Sequence, residues 1–309
     1  MVCFLKQNTE RMFFMEIAEQ LYKDFTDEQK AKLHEIQEIE LKLLREVDRI
    51  CKKHNLHYSL SGGTLLGAIR HKDFIPWDDD IDLDLKRDDF NKLISILPDE
   101  LGEEFEFINY NEYGEYHCDF IPRIFYRNSK AVNSFSTDGG KNNFANDERM
   151  NRVFIELYCL HDTETNLVKS QIFKVKMIYG LAMGHRLIPT DSSNYSFVQK
   201  MQVLVLSTVG KFIPMAKIYK MYEKCVNSVK TGDGDLYFKP SVPLPVQHRN
   251  VFPKNFFDSY TEVPIRNDMA MAPAEYIKVL EYLYTNWQDL PKEKDRHPGH
   301  FELLKTEIF

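Results

Sequence analysis

The chain has 309 residues, of which 43% are hydrophobic and 28% charged, and this is the composition of a folded globular protein rather than a disordered one. A chain of this length can bury one substantial core, with or without a smaller appended part. Its net charge of −7 argues against a dedicated nucleic-acid binder, which normally has a basic surface and a high isoelectric point.

The first predicted element is a long amphipathic helix over residues 26–53. Thr26 is its predicted N-cap, and Asn55 is its predicted end. Apolar residues recur along it at steps of three and four, which places them on one face of a helix. These apolar positions are Leu33, Ile36, Ile39, Leu43, Val47 and Ile50. We therefore expect one face of this helix to pack against the rest of the protein.

A short predicted strand over residues 57–60 leads into a glycine turn and a short helix. Gly62 and Gly63 allow a ligand to approach the backbone closely, and the N–H groups at a helix N-terminus bind phosphate oxygens. Thr64 adds a hydroxyl group. A Gly-Gly pair alone is most often just a turn. The acids that follow it are what make this pair a candidate phosphate-binding site.

Two basic residues lie between the glycine turn and those acids. Arg70 and Lys72 could neutralise the phosphate of a donor, and we regard them as candidate phosphate-binding residues. A solvated basic turn explains them equally well.

Residues 80–85 alternate between acidic and apolar side chains, and this period of two predicts a strand with one buried face. Asp80 and Asp82 lie on the same side, about 6.6 Å apart along such a strand. Two carboxylates at this spacing can bind one ion or a pair of ions, and without a cation they would repel each other by about 3 kcal/mol at an effective dielectric constant of ~20. Oxygen ligands favour Mg²⁺ or Mn²⁺.

The acidic segment could also belong to a solvated surface, a calcium site or the metal site of a glycosyltransferase. A solvated acidic face is disfavoured by the apolar residues that alternate with the acids. A calcium-binding EF-hand loop starting at Asp78 fails because Leu83 would stand where a sharp turn needs glycine. A metal-binding Asp-x-Asp motif of a nucleotide-sugar glycosyltransferase remains open, although the glycine turn ahead of the acids speaks against it.

The rest of the chain divides into a part with strands and a part with helices. We predict an α/β (α+β) catalytic core over residues 1–160, which includes the N-terminal helix, and a mainly helical region over residues 161–309. The basic and apolar helices of the second region also suit contact with a membrane surface. Strands are predicted over residues 105–110, 118–126 and 152–157, and helices over residues 168–187, 197–229 and 275–287.

The cysteines and the apolar segments bear on the location of the protein. The cysteines are few, widely spaced and without a CxxC pair, so we expect neither a disulfide framework nor a structural zinc site. No apolar run approaches the ~20 residues of a membrane-spanning helix, and no signal peptide is recognised. We therefore predict a cytoplasmic protein, with at most peripheral contact at the inner face of a membrane. The cysteines are Cys3, Cys51, Cys118, Cys159 and Cys225.

Residues 63–84, with the sequence GTLLGAIRHKDFIPWDDDIDLD, resemble the hallmark of the LicD/fukutin family. Its members are phosphotransferases of the nucleotidyltransferase fold that modify cell-surface glycans, so the resemblance implies a nucleotidyltransferase-like core with a mixed sheet. It also implies that Asp80 and Asp82 are metal-binding catalytic residues and that a third acid lies on a neighbouring strand. That third acid falls on Glu156, where the sequence IELYCLHD departs from the family's usual aspartate followed by Phe-Pro.

The resemblance further implies a reaction. A phosphoryl-linked group, most typically phosphocholine from CDP-choline, would be transferred with Mg²⁺ or Mn²⁺ to a hydroxyl of a glycan, such as a lipopolysaccharide or teichoic-acid precursor, free or linked to lipid. Trp77, Tyr276 and Tyr284 are candidates for an aromatic cage around a quaternary ammonium group. The alternatives are a metal-dependent glycosyltransferase and a non-catalytic scaffold that keeps the fold, and the intact acid pair speaks against the scaffold.

Overall fold

The computed structural model describes residues 25–114, 119–132, 148–186, 195–240 and 250–309. Within these residues a mixed β-sheet packs against helices, which confirms the predicted α/β (α+β) class. The helices are α1 (Asp27–His54), α2 (Gly62–Arg70), α3 (Arg87–Glu100), α4 (Val168–Ala182), α5 (Phe197–Gly210), α6 (Met215–Val226) and α7 (Tyr276–Leu283). The strands are β1 (Tyr58–Leu60), β2 (Asp82–Lys86), β3 (Phe105–Ile108), β4 (Arg123–Tyr126), β5 (Ser129–Lys130), β6 (Phe154–Thr163), β7 (Leu236–Phe238), β8 (Val251–Pro253), β9 (Tyr260–Ile265), β10 (Asp268–Pro273) and β11 (Glu307–Ile308).

Helix α1 confirms the prediction made from its apolar periodicity. It begins after Thr26, whose hydroxyl accepts a hydrogen bond from the Gln29 N–H at 3.2 Å, while the Gln29 side chain accepts one from the Thr26 N–H at 2.9 Å. This reciprocal capping satisfies N–H groups that a helix start leaves free. The helix ends at Asn55, which has the left-handed conformation with φ of 52°. The predicted apolar positions are all buried.

The main sheet has the strand order β1-β2-β6-β4-β3. Strands β2 and β6 are parallel, and the other neighbours in this order are antiparallel. Helix α2 connects β1 to β2, and α3 connects β2 to β3. The acidic strand β2 therefore lies inside the sheet, where Leu83 and Leu85 are fully buried.

Several predicted strands have different limits in the structure. The strand predicted from Asp80 begins only at Asp82, because the preceding residues form a loop in which the Asp78 N–H donates to the Ile75 carbonyl at 2.8 Å. Strand β3 ends at Ile108, and β6 extends to Thr163. Strand β4 covers the second half of the predicted strand 118–126, whose first residue lies outside the described residues.

The second half of the chain contains helices α4 to α7 together with short strands that the sequence pattern did not reveal. The helix predicted over residues 197–229 is divided into α5 and α6, because Pro214 cannot continue a helix from the preceding turn. Strands β7 and β8 extend the sheet from the end of β6, and β9 and β10 form a hairpin.

Among the described residues, two clusters of buried apolar side chains form the core. The larger one joins α1, the main sheet and C-terminal residues such as Phe301. The smaller one surrounds Phe120 and joins α4, α6 and Phe238. Strand β6 crosses the domain boundary placed at residue 160, and the larger core includes side chains from both sides of it.

Candidate active site

The glycine turn is tied directly to the acidic strand. The Ser61 N–H donates to the Asp82 carbonyl at 3.0 Å, and the Asp82 N–H donates to the Thr64 hydroxyl at 2.9 Å. Gly62 has a φ of +49°, a conformation that side chains other than glycine rarely adopt. A Cβ atom on Gly63 would lie 2.9 Å from Oδ2 of Asp78. The turn is thus held against the acids, and a side chain would intrude on them.

The first turn of α2 is suited to bind an anion. Ser61 is the N-cap of this helix but makes no side-chain capping hydrogen bond to it. Its hydroxyl accepts instead from Nζ of Lys239 at 2.6 Å. Because the N–H groups of a first turn have no partner within the helix, they can bind phosphate oxygens with support from the helix dipole.

Lys239 is a buried cation beside the acids that was not predicted from the sequence. Its Nζ lies 3.0 Å from Oδ1 of Asp84 and 4.8 Å from the centroid of the Tyr158 ring. The residue follows β7, more than 150 positions after the acids in the sequence. No local sequence pattern reveals such a contact.

The structure brings Asp82 and Glu156 side by side in the sheet. They are register partners on the parallel strands β2 and β6, and Arg123 on β4 is the register partner of Glu156 on its other side. The two carboxylates of Asp82 and Glu156 and the guanidinium group of Arg123 therefore lie in one row across β2, β6 and β4. Asp80 belongs to the loop before β2, so it approaches the row from the end of the strand.

Glu156 is held by two neighbours. Its carboxylate accepts hydrogen bonds from the Arg123 guanidinium group and from the Tyr158 hydroxyl. Arg123 also donates to the buried carboxylate of Asp119. The network fixes the position of Glu156 and leaves Arg123 shared between two acids.

The charges of the acidic cluster are only partly balanced by protein groups. Burial raises the pKa of Asp82 well above its ordinary value, and the charges of Asp80 and Glu156 raise it further against the lowering effect of Lys239. Burial and the charge of Asp80 likewise raise the pKa of Asp78. Oδ1 of Asp82 is buried and has no hydrogen-bond partner among the described residues. A cluster of carboxylate oxygens in this state fits a Mg²⁺ or Mn²⁺ ion.

Residues 299–301, which we call the C-terminal segment, contact the loop before β2 through Asp79. We call this loop, residues 78–81, the acidic loop. Both carboxylate oxygens of Asp79 accept hydrogen bonds from the backbone N–H groups of residues 299–301, at 2.7 to 3.1 Å. This contact brings Nδ1 of His300 to 3.6 Å from Oδ1 of Asp80. The C-terminal histidines are evident in the sequence, but no local pattern predicts this position for one of them.

His300 contributes charge to the site, and it is also a possible ligand. Burial would lower the pKa of its imidazole, but Asp80 and Asp79 together raise it well above its ordinary value. One potential ligand atom from each of Asp79, Asp80 and His300 lies within 4.8 Å of the other two. Because Asp79 is occupied by backbone N–H groups, Asp80 and His300 are the members of this group with capacity for an ion.

Glu40 is a further carboxyl group that faces the acidic loop from the core side of α1. It is fully buried, and neither of its oxygens has a hydrogen-bond partner among the described residues. Burial raises its pKa well above the ordinary value, and the charges of Asp80 and Asp79 raise it further. Its position four residues after Ile36, on the apolar face of the helix, was a signal available in the sequence.

Arg70 and Lys72 lie at the other end of α2. The helix rises by 1.5 Å per residue, which separates Arg70 from the glycine turn by about 12 Å. Arg70 donates to the backbone carbonyls of Trp287 and Asp289 at 3.0 Å, and Lys72 is exposed. The structure therefore does not bring these two residues to the first turn of α2.

The three aromatic residues considered for a cage have different surroundings. Tyr284 lies near the acids, since burial and then the charges of Asp78, Asp82 and Asp80 raise its pKa. Trp77 is buried, and its ring faces the Arg296 guanidinium group at 5.6 Å. Tyr276 packs against the larger core at the start of α7. Within the described parts of the chain, no ring contact joins any two of the three. Of the three, the structure brings Tyr284 to the acids.

Comparison with known proteins finds a family model that matches the region of the site. Residues 55–179, which contain the glycine turn, β2 and Glu156, match the family model described as LicD/FKTN/FKRP, nucleotidyltransferase domain. Residues 55–179 of the chain are therefore similar to this nucleotidyltransferase domain.

Curated proteins of two kinds are similar to the chain. The chain is 23% identical over 289 residues to the lipopolysaccharide cholinephosphotransferase LicD of Haemophilus influenzae, which covers 88% of this chain and 97% of that protein. It is 32% identical over 101 residues to the ribitol 5-phosphate transferase FKRP of human and mouse, covering 26% of this chain and 20% of that protein. The similarity to the cholinephosphotransferase thus extends over nearly the whole chain, and the other is confined to a part.

Proposed function

We propose that this chain is a metal-dependent phosphotransferase that moves a phosphoryl-linked group, phosphocholine from CDP-choline in its most specific form, to a hydroxyl of a cell-surface glycan precursor. The observation that supports it most is the position of Asp82 and Glu156, side by side next to the uncapped first turn of α2. The near full-length similarity to a lipopolysaccharide cholinephosphotransferase favours phosphocholine over other groups.

In this proposal Asp80 and Asp82, with Glu156, hold Mg²⁺ or Mn²⁺. A bound ion would supply Lewis acidity that polarises the donor phosphate and lowers the pKa of the acceptor hydroxyl. Oδ1 of Asp82 is the atom best placed to bind it, because this oxygen is buried without a hydrogen-bond partner in the described structure.

The other groups of the site bind and orient the donor. The N–H groups of the first turn of α2 would donate to the phosphate oxygens, with Lys239 adding positive charge beside them. Glu156 or a neighbouring aspartate would receive the proton of the acceptor hydroxyl. The buried free thiols of Cys51, Cys159 and Cys225 fit a reducing compartment, and we place the reaction in the cytoplasm.

The reaction is tested by release of CMP from CDP-choline in the presence and absence of Mg²⁺. We expect Asp80→Asn and Asp82→Asn each to lose at least about two orders of magnitude in rate, because each removes a charge that the ion needs. The control Asp258→Asn changes an exposed aspartate outside the site and should keep the wild-type rate. Full turnover by both site variants at saturating Mg²⁺ would remove the acid pair from the mechanism.

The transferred group is tested by calorimetric competition among CDP-choline, CDP-ethanolamine and CDP-glycerol in the presence of Mg²⁺. An aromatic contact such as Tyr284 contributes about 0.5–2 kcal/mol to binding of a quaternary ammonium, so CDP-choline should bind several-fold more tightly. Equal binding of the three donors would contradict the choline assignment and leave the phosphotransferase reaction standing. Preference for a UDP-sugar would instead support a glycosyltransferase.

A further inference from the structure

Helix α5 carries its apolar side chains on the side that faces away from the protein. Leu204 and Val205 are 57% and 56% exposed, and Phe197 is 77% exposed. Met201 and Val209 belong to the same set, at the spacing that places residues on one helix face. This pattern is the reverse of a helix that packs its apolar face into a core.

The opposite face of α5 is fixed to α4 by close backbone contacts. A Cβ atom on Gly210 would overlap the Leu181 carbonyl, and one on Gly184 would overlap the Ser207 carbonyl. Gly180 lies against the Leu206 side chain in the same way. Because the Gly210 and Gly184 contacts are with backbone atoms and leave no room for a side chain, they fix the inner face of α5 against α4 and residues 183–185, and the apolar face is held outward.

Neighbouring residues enlarge the outward surface. Phe173 and Met177 on α4 are 63% and 38% exposed, and Phe212, just after α5, is 84% exposed. We call the exposed apolar residues of α4, α5 and the following turn the apolar face. Singly exposed apolar residues are ordinary, but a contiguous set of this kind marks a contact surface.

The segment that carries the apolar face, residues 165–222, is basic, although the protein as a whole has a net charge of −7. Asp191 is the only acidic residue in residues 165–222. Apart from Lys176, which is half-buried, the lysines of this segment are exposed. The basic residues are Lys169, Lys174, Lys176, Arg186, Lys200, Lys211, Lys217 and Lys220.

We infer that the apolar face is a docking surface for an anionic lipid bilayer. An apolar surface on a segment rich in exposed lysines matches the boundary between acyl chains and acidic headgroups. Helix α5 spans 14 residues, which gives a length of about 21 Å, less than the ~30 Å of a bilayer core. None of the helices in the described ranges has the length and apolar character to cross a membrane. The helix would therefore lie along the membrane surface.

A second copy of the chain fits this surface less well. A symmetric dimer would place the same patch on both subunits and bring the two sets of lysines against each other. Juxtaposed like charges oppose association, whereas acidic lipid headgroups neutralise the lysines. The charge of the surroundings thus favours a lipid surface over self-association. The inference does not rest on the proposed reaction, because it uses residues outside the candidate active site.

The docking surface is tested by co-sedimentation of the full chain with vesicles of phosphatidylcholine, with and without phosphatidylglycerol. We expect binding only to the anionic vesicles, and at least a tenfold loss for Phe197→Gln combined with Leu204→Gln. The control Met269→Gln changes an equally accessible apolar residue on β10, 49% exposed, and should bind like the wild type. Lys200→Gln should weaken binding about fivefold, the scale of one lysine near an anionic surface.

Two results would overturn the inference. One is absence of wild-type binding to anionic vesicles, and the other is equal binding by the wild type and the Phe197→Gln, Leu204→Gln variant. Light scattering provides the second measurement. A wild-type dimer that dissociates in this variant, without vesicle binding, would assign the apolar face to a second copy of the chain.

Discussion

Individual acids of the site differ in what surrounds them, and this difference suggests different roles. Oδ1 of Asp82 has no hydrogen-bond partner in the described structure, whereas Asp79 is saturated by backbone N–H groups. Glu156 lies between these cases, since Arg123 and Tyr158 both donate to it. We therefore expect Asp82 to contribute mainly to ion binding and Asp79 mainly to the shape of the loop.

The role of Glu156 can be separated from that of its partner Arg123. Glu156→Gln should keep donor binding but lose at least about two orders of magnitude in rate, the usual scale for loss of a general base. Asp119→Asn is the matched control, because it removes the other carboxylate that Arg123 contacts and leaves the acids of the site unchanged. Steady-state rates and donor calorimetry on both variants check this.

Two outcomes would assign a different role to Glu156. A wild-type rate in Glu156→Gln would place the third acid elsewhere, with Asp84 on β2 as the next candidate. An equal loss in Asp119→Asn would show that the Arg123 network, rather than the Glu156 carboxylate, determines the rate.

The buried carboxyl group of Glu40 should make the free energy of unfolding decrease as the pH rises. Its pKa is raised in the folded protein, so the unfolded chain loses this proton first as the pH rises above the ordinary value of about 4.3. The wild type therefore loses stability from that pH up to the raised pKa. Glu40→Gln keeps the shape of a neutral carboxyl group and avoids this loss.

Urea unfolding in metal-free buffer at pH 5 and pH 8 measures this effect. Glu40→Gln should be more stable than the wild type at pH 8, and the difference should shrink toward pH 5. Glu35→Gln, on the exposed side of the same helix, should show no such trend. A difference for Glu40→Gln that is the same at both pH values would mean that Glu40 does not bind a proton on folding.

Among the elements, α2 is held in place by its contact with the loop that follows it. A Cβ atom on Gly67 would lie 2.6 Å from the Ile75 nitrogen, 2.8 Å from the Asp73 oxygen and 2.9 Å from the Phe74 carbonyl carbon. These are backbone atoms, which cannot rotate away as the end of a side chain does. Helix and loop therefore keep a fixed separation between the glycine turn and the acids.

Gly67→Ala should destabilise the protein by about 1–3 kcal/mol, the usual cost of an inserted methyl group in a tight contact. Gly102→Ala is the control, because its Cβ atom would have no neighbour closer than 3.7 Å. That control should stay within about 0.5 kcal/mol of the wild type. The free energies of unfolding in urea decide the comparison. Equal stability of the two variants would show that the loop can shift to accept the extra carbon atom.

The elements that the sequence predicted well are those determined by local periodicity. Helix α1 follows its apolar spacing from the capping residue Thr26 to Asn55, because the alternation of faces is repeated over its whole length. Strand β2 was predicted two residues too long at its start, since acidic and apolar residues continue to alternate into the loop. The loop residue Asp79 takes its conformation from backbone groups of residues 299–301, and the local pattern contains no sign of them.

For the whole molecule, the C-terminal segment completes the surroundings of the acids. Asp79→Asn would leave one acceptor oxygen for N–H groups that now share two, and charge-assisted hydrogen bonds contribute about 1.5–3 kcal/mol each. We expect faster amide exchange at residues 299–301 and a lower melting temperature. Hydrogen-exchange mass spectrometry of the variant measures the first effect. Asp295→Asn, an exposed site nearby, should leave both unchanged, and protected amides in Asp79→Asn would contradict this role.

The site residues that could not be predicted from the sequence are those that reach it from distant parts of the chain. The row of Asp82 and Glu156 followed from a family motif and a strand pattern, and the structure has them in register. Lys239 and His300 reach the same place from distant parts of the chain, through packing that no local spacing encodes. The sequence showed that α5 is rich in apolar residues, but it did not show that they face outward. The orientation of the helix depends on the glycine contacts between α5 and α4.

The hydrogen bonds of Asp79 also determine when the site can form during synthesis. Its backbone partners lie 220 to 222 residues further along the chain. The sheet and the glycine turn can assemble as soon as β6 has left the ribosome, since domains begin to fold from their N-terminal side during translation. The acidic loop must wait for residues 299–301. A nascent chain would thus carry Asp82 in place on β2 while the loop before it lacks its backbone partners, and the site would be complete only after residues 299–301 have been translated.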